Sequence, residues 1–148
     1  MGIFRPKRHT QKTGDISEQA CITRLLECHY TVLQPIGQMH RYDLVIEDAD
    51  GKFWRIQVKT GWLTRDDSVI LFSATSNQYH YNGPGNRGGT RRKGYRGEVD
   101  YFCVYVEALR KVYMLSVNEV GTAGVTLRLT PSKNNQEKNV RWAKDYEL

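Results

Sequence analysis

The sequence is short of the features that mark several large protein classes. It has three cysteines, Cys21, Cys28 and Cys103, an odd number without a C-x-x-C pair. Neither a disulfide framework nor a thiolate metal site is therefore expected. Cys21 and Cys28 fall two turns apart on one face of an expected helix, too far apart to bond to each other, and all three are read as free, buried thiols. No run approaches the roughly 18 consecutive apolar residues of a membrane span. The basic opening MGIFRPKRHTQKTG has no apolar stretch behind it, so it does not read as a secretory signal. Pro6 stands where a myristoylation motif has Ser or Thr. A cytoplasmic, intracellular protein without a membrane partner is expected. His9, His29, His40 and His80 lack metal-ligand spacing, and Ser73 and Ser76 lack a partnered histidine. The glycine-rich stretch from Gly83 to Gly97 lacks the Lys-Ser/Thr helix start of a phosphate-binding loop.

Acidic residues are missing from two segments in particular. Residues 1–14 hold Arg5, Lys7, Arg8 and Lys12 with no acid, and residues 77–97 hold Arg87, Arg91, Arg92, Lys93 and Arg96 with no acid. These +4 and +5 segments together exceed the net charge of +6, so the rest of the chain is net acidic. Charge concentrated in this way suits a polyanion-binding surface carried on an arm and a loop. The 148 residues, 39% of them hydrophobic, suffice for one domain spanning 1–148 with its own core.

Residues 1–14 read as an irregular arm. Asp15 and Glu18 form a capping-box pattern ahead of Cys21, Ile22, Leu25 and Leu26, which predicts a helix from about Ile16 to Cys28 with Glu18 in its first turn. Strands are expected over Tyr30–Gln34, Tyr42–Glu47, Lys52–Lys59, Ser68–Ser73, Val99–Val106, Val112–Val117 and Val125–Leu129. The Asp48-Ala49-Asp50-Gly51 turn joins the second and third as a hairpin. Residues 77–97 hold seven Gly or Pro and show no period, so a long loop is expected there. Tyr79, Tyr81 and Tyr95 interleave with its arginines, as stacking groups or as anchors. The tail from Pro131 has Trp142 as its one large anchor. One helix among strands predicts an α/β fold with a mixed central sheet flanked by helices.

Within this frame, polar residues stand where apolar ones are expected. Asp43 enters a strand that is otherwise Leu44, Val45 and Ile46. Gln57 and Lys59, two apart on the next strand, share one face of the sheet. Adjacent strands lie about 5 Å apart, which brings Asp43 within reach of both in a suitable register. A carboxylate, an amide oxygen and an ammonium so placed suit a hard divalent cation and a phosphate.

The ordered set of Glu18, then Arg41-Tyr42-Asp43-Leu44, then Ile56-Gln57-Val58-Lys59, resembles the PD-(D/E)XK nuclease superfamily. The runs G-D-I-S-E-Q, R-Y-D-L, Q-V-K-T-G, Y-R-G-E-V-D-Y-F and R-W-A-K-D-Y-E-L look like the small group I intron-associated homing endonucleases, over nearly the whole chain. Tyr42 replaces the Pro of the motif, and Gln57 replaces its usual second acid.

The resemblance implies a restriction-endonuclease-like core and a double-strand DNA endonuclease dependent on Mg²⁺, with Mn²⁺ as the alternative ion. It implies Glu18, Asp43, Gln57 and Lys59 as catalytic residues. Asp43, Glu18 and the Val58 carbonyl are the implied metal ligands, and Lys59 acts on the attacking water or on phosphoryl charge. Gln57 offers a carbonyl without charge, so Glu18 carries more of the metal. The arginines of 77–97 are expected on phosphates or base edges of double-stranded DNA. With one site per subunit, cutting two strands implies a homo-oligomer, a dimer or a tetramer. A junction-resolving nuclease and a DNA-binding module with decayed catalysis are the competing readings.

Overall fold

A computed structural model describes residues 2–81, 83–85 and 87–148; Met1, Asn82 and Asn86, within the two basic segments, lie outside the described residues. The helix α1 spans Thr10–Glu27 and starts six residues before the expected point. Its buried stripe is Thr13, Ser17, Cys21 and Leu25, one residue per turn. Half of that stripe is hydroxyl-bearing and so invisible to a hydropathy reading. Ser17 Oγ lies 2.6 Å from Thr60 Oγ1, which satisfies the polar half of the stripe against the sheet. His9 is the N-cap, its Nδ1 accepting from Gln11 N–H at 3.3 Å. The capping role expected of Asp15 and Glu18 is therefore overturned, and Thr10–Gly14 belong to the helix and not to an arm. The helix ends where His29 takes a left-handed φ of 67° and Cys28 N–H closes on Arg24 O at 3.0 Å.

A five-stranded sheet is built from β1 (Thr31–Leu33), β2 (Leu44–Glu47), β3 (Phe53–Thr60), β8 (Tyr101–Val106) and β9 (Lys111–Ser116). Their order is β1-β2-β3-β8-β9, with β3 and β8 parallel and the other pairs antiparallel. The expected mixed central sheet of an α/β fold is thus present. The β2–β3 turn is held by Asp48, whose Oδ1 accepts from the N–H groups of Asp50 and Lys52, while Gly51 takes φ +75°.

One sheet face packs on α1, where Cys21 and Leu25 meet Leu44, Ile46, Ile56, Val58, Cys103 and Val112. On the other face Phe102, Val104, Val106, Tyr113 and Leu115 meet Ile70, Phe72, Val125 and Leu127. The latter come from a smaller sheet of β4 (Trp62–Leu63), β5 (Val69–Ser73) and β10 (Gly124–Arg128). Burial on both faces explains the near-continuous apolar run Tyr101-Phe102-Cys103-Val104 in the parallel strand. Each such fully buried aliphatic side chain contributes about 1.5–3 kcal/mol. The chain leaves β3 for the small sheet through Gly61, where a Cβ would stand 2.9 Å from Val106 and 3.0 Å from Val104.

The span 77–97 departs most from expectation. Instead of a loop throughout, it contains most of a two-stranded antiparallel ribbon, β6 (Ser76–His80) with β7 (Gly89–Lys93), that among the described residues pairs with no other strand. The C-terminal tail is tied down by a bridge from Tyr113 to Glu147 and another from Arg128 to Trp142, with Ala143 buried. Trp142 itself is only half-buried, so the backbone bridges anchor the tail more than that one ring does.

All three cysteines are free; Cys21 and Cys103 are buried and Cys28 half-buried. Contact with Cys103 and burial push the Cys21 thiol far up, which leaves it inert. Among the described residues no helix is long and apolar enough to cross a membrane.

Candidate active site

Asp43 sits immediately before β2. Its N–H donates to Ile56 O at 2.9 Å, and its Oδ2 accepts from Val58 N–H at 2.8 Å. Because Leu44 is registered with Ile56, Asp43 falls opposite Gln57. Burial holds the Asp43 carboxyl above its usual range, and the nearby Glu18 carboxylate pushes the same way. The Val58 N–H and the Lys59 charge oppose the rise without cancelling it. Asp43 therefore feels Glu18 from the helix and Lys59 from β3 at once.

Glu18 projects from the middle of α1 and is half-buried, and its Oε1 accepts from Gln34 Nε2 at 3.0 Å. Between Glu18 and Asp43 lies a pocket of about 240 Å³, walled by Gln34, His40, Tyr42 and the loop between β1 and β2. Gln57 and Lys59 alternate with the core residues Ile56 and Val58, so they occupy the face of β3 turned away from α1. Gln57 Nε2 donates to Val58 O at 3.3 Å. The Val58 peptide is thus held at its N–H by Asp43 and at its carbonyl by Gln57, which fixes the carbonyl's direction.

Lys59 does not hydrogen-bond to Asp43 or Gln57. Its Nζ donates to Thr75 O at 3.1 Å and to Tyr95 Oη at 3.0 Å, and lies 4.6 Å from the centre of the Tyr95 ring. Glu18 and Lys59 are thus each near enough to Asp43 to act on its carboxyl, and Gln57 is linked to it through the Val58 peptide, while only Glu18 and Asp43 line the pocket. Among the described residues no group of three or more His, Cys, Asp or Glu side chains comes close enough to hold an ion. The donor set still fits a hard cation. The repulsion that Glu18 exerts on the buried Asp43 carboxylate would be relieved by a divalent charge, and an amide and a carbonyl supply neutral oxygens.

The basic residues separate into engaged and unengaged ones. On the fully exposed β7, Arg91 and Arg92 make no ion pair or hydrogen bond among the described residues, and they point to opposite faces of the ribbon. Arg87 lies between the two ribbon strands in sequence. Lys93 is paired with Glu98 at 2.6 Å, and Arg96 donates to Val120 O at 3.2 Å, so both are used in part by the fold. In the N-terminal segment Arg8 is paired with Glu107, while Arg5 and Lys7 lie in the exposed stretch before α1 and Lys12 in its first turn.

Two site neighbours were given no role at the site by the sequence, Arg41 standing only within the R-Y-D run and Tyr95 only as a stacking group or anchor of the 77–97 span. Arg41, two residues before Asp43, binds Glu98 Oε2 at 2.5 Å, Ser76 Oγ at 2.6 Å and Gly94 O at 2.7 Å. Its guanidinium carbon sits 4.2 Å from the centre of the Tyr95 ring. Tyr95 is an anchor, buried and edge-on to Phe102, whereas Tyr79 and Tyr81 are about 70% exposed. The R-Y-D run contained the signal for Arg41, since an arginine beside a core strand needs internal partners.

The family described as PD-(D/E)XK endonuclease matches residues 8–148. The solved structure of a bacterial homing endonuclease, I-Ssp6803I, is similar with a TM-score of 0.69 and 28% sequence identity, over 95% of this chain and 89% of that one. Among the curated proteins, none matches the chain.

Proposed function

Because the chain belongs to the PD-(D/E)XK endonuclease family and is on that ground a nuclease acting on DNA, we propose that it is a metal-dependent, site-specific double-strand endonuclease of the homing type. The observation that carries this reading is Asp43, a carboxylate kept above its usual range by burial and by Glu18, yet oriented by the Val58 N–H beside an open pocket. A carboxylate in that condition is costly unless it serves a cation or a proton.

Asp43 and Glu18 would hold Mg²⁺, or Mn²⁺ in its place, with the Val58 carbonyl and a turned Gln57 amide completing the oxygens. Bound there, the ion would polarise a phosphoryl oxygen and lower the pKa of a water. The chain's own residues do the remaining work. Asp43 holds the Val58 peptide by its N–H, and Lys59 places an ammonium where charge grows on phosphorus-bound oxygen as water adds and the ester P–O bond breaks. Arg91 and Arg92, with Arg87, meet the DNA backbone or base edges. Each chain carries one such site, so cleavage of both strands requires a homo-oligomer, dimer or tetramer.

The test is single-turnover cleavage of a selected duplex target with Mg²⁺, with binding measured in Ca²⁺. Lys59→Ala is expected to lower the cutting rate by roughly 10²–10³ while leaving affinity within a few-fold, because the lost interaction is made mainly in the transition state. Equal cutting by parent and variant removes the role of Lys59. Cleavage in EDTA removes the metal. Preference for a four-way junction over the duplex favours a junction-resolving enzyme, and silence on both substrates favours a binding module.

A further inference from the structure

Both roots of the β6–β7 ribbon are fastened to residues of the candidate active site. Thr75, the residue before β6, gives its carbonyl to Lys59 Nζ, and Tyr95, two residues past β7, gives its hydroxyl oxygen to the same nitrogen. Lys59 is therefore held by one atom from each root and, among the described residues, by no other hydrogen bond. Arg41 closes the same knot from beside Asp43. It reaches Ser76 in the first ribbon residue, Gly94 just past the last, and Glu98, and it lies against the Tyr95 ring. Glu98 in turn holds Lys93 at the end of β7. Beyond this base the ribbon, among the described residues, pairs with no other strand, and β7 is exposed throughout.

A two-stranded ribbon with one strand exposed throughout has little apolar burial to oppose a tilt. Its base is rigid where the charged hydrogen bonds lie. A tilt imposed on the outer ribbon by a bound DNA would reach Lys59 through its contacts with Thr75 and Tyr95. A misplacement of about 1 Å at such a group can cost on the order of 10²-fold in rate.

We propose that Tyr95 and Arg41 are positioning residues that make the placement of Lys59 depend on how the ribbon is seated, so that a wrong base pair under the ribbon is read as slower cutting as well as weaker binding. The inference rests on the endonuclease reading above and adds to it a mechanism of discrimination.

Tyr95→Phe is the sharp test, because it keeps the buried ring, its contact with Phe102 and its face toward Arg41, and removes only the hydroxyl. Single-turnover rates would be measured at saturating protein with Mg²⁺, on the selected duplex and on duplexes changed at single base pairs across the ribbon footprint. Affinity would be read in Ca²⁺, and folding by thermal unfolding. For the parent, saturated complexes on changed sites are expected to cut several-fold more slowly than on the full site. Tyr95→Phe is expected to cut the full site about tenfold more slowly, the kinetic equivalent of one lost hydrogen bond to a charged group. Its affinity and melting temperature should stay at the parent's values, and its rate penalty for changed sites should shrink toward one. Arg41→Lys, which keeps charge but loses the forked contacts, is expected to show the same split between rate and affinity. A parent whose saturated rate ignores the base changes, or a Tyr95→Phe protein that keeps the parent's rate and penalty, overturns the coupling while leaving the nuclease reading intact. A parent that cuts no DNA overturns both.

Discussion

The β2–β3 hairpin and the β6–β7 ribbon are the same backbone device put to opposite uses. Both are antiparallel pairs of similar length, with four and five registered residue pairs. The first is inserted between β1 and β8, and its Leu44, Ile46, Ile56 and Val58 are buried under α1. The second stands alone, with all of β7 exposed. Burial fixes Asp43 and Gln57 on the Val58 peptide to within hydrogen-bond tolerance, which is what positioning for chemistry needs. Exposure leaves Arg91 and Arg92 free to meet a partner, at the expense of intrinsic order. On the proposed function the division gives rate to one hairpin and affinity to the other, with Lys59 and Arg41 joined to the ribbon roots at Thr75, Ser76, Gly94, Tyr95 and Glu98.

The division breaks first at Asp43. Asp43→Asn can still accept from Val58 N–H but brings no charge to the pocket, so cleavage is expected to fall by at least about 10³-fold, with binding in Ca²⁺ less affected. Cutting within tenfold of the parent, measured under single-turnover conditions, would move the metal elsewhere.

A smaller effect is expected from the ribbon. Replacing Arg91 and Arg92 by Gln should flatten the dependence of log affinity on log salt by about 1.8, as two phosphate contacts disappear. Adding Lys93→Gln should change the slope by less than a further 0.9 or so, because Lys93 already has Glu98 as its partner. A salt titration of binding reads both. If the double variant keeps the parent's slope, the ribbon does not meet phosphates. If sequence preference relaxes while the slope holds, the arginines read bases.

The smallest effect is on stability and concerns the rigid hairpin alone. The Asp43 carboxyl is raised from its ordinary 3.8, with burial as the main cause. The folded state then binds the proton more tightly than the unfolded chain, so stability falls as pH rises from about that ordinary value through the folded one, and stays lower above it. Without metal, Asp43→Asn is expected to melt a few degrees higher than the parent at pH 7 and to match it near pH 3.5. Divalent cation should raise the melting temperature of the parent and leave that of the variant unchanged. Thermal scans at the two pH values, with and without Mg²⁺, decide it; a parent that melts higher than the variant at pH 7 without metal contradicts the assignment.

The rigid half of the molecule was the legible half. Tyr42–Glu47 and Lys52–Lys59 announce themselves by apolar runs around a turn with a positive-φ glycine, and the register they imply does bring Asp43 opposite Gln57. The start of α1 was missed because Thr13 and Ser17 are buried through hydrogen bonds to backbone and to Thr60, a mode of burial that hydropathy does not record. The ribbon was missed because Gly89, Thr90, Arg91 and Arg92 pair through backbone alone, and an element with no buried face has no periodicity to find. Arg41 and Tyr95 meet across more than fifty residues of chain, a proximity that only the closed fold creates. The short β4 follows a glycine that crowding by Val104, Val106 and Ile70 demands, and that crowding too appears only in the assembled core.

The solvent exposure of β7 carries a consequence for inheritance. Substitutions on a strand that buries nothing shift stability by no more than about 0.5 kcal/mol in either direction, so its alphabet can drift while the protein continues to fold. Asp43, Val58 and Lys59 have no such latitude, because Asp43 holds a backbone N–H, the Val58 side chain lies in the core and Lys59 is held by Thr75 and Tyr95. A lineage built this way can explore new targets by changing a few side chains on one strand, and a protein engineer has the same entry point. Libraries varied at Thr90, Arg91 and Arg92 should return folded proteins at high frequency, with new preferences among them.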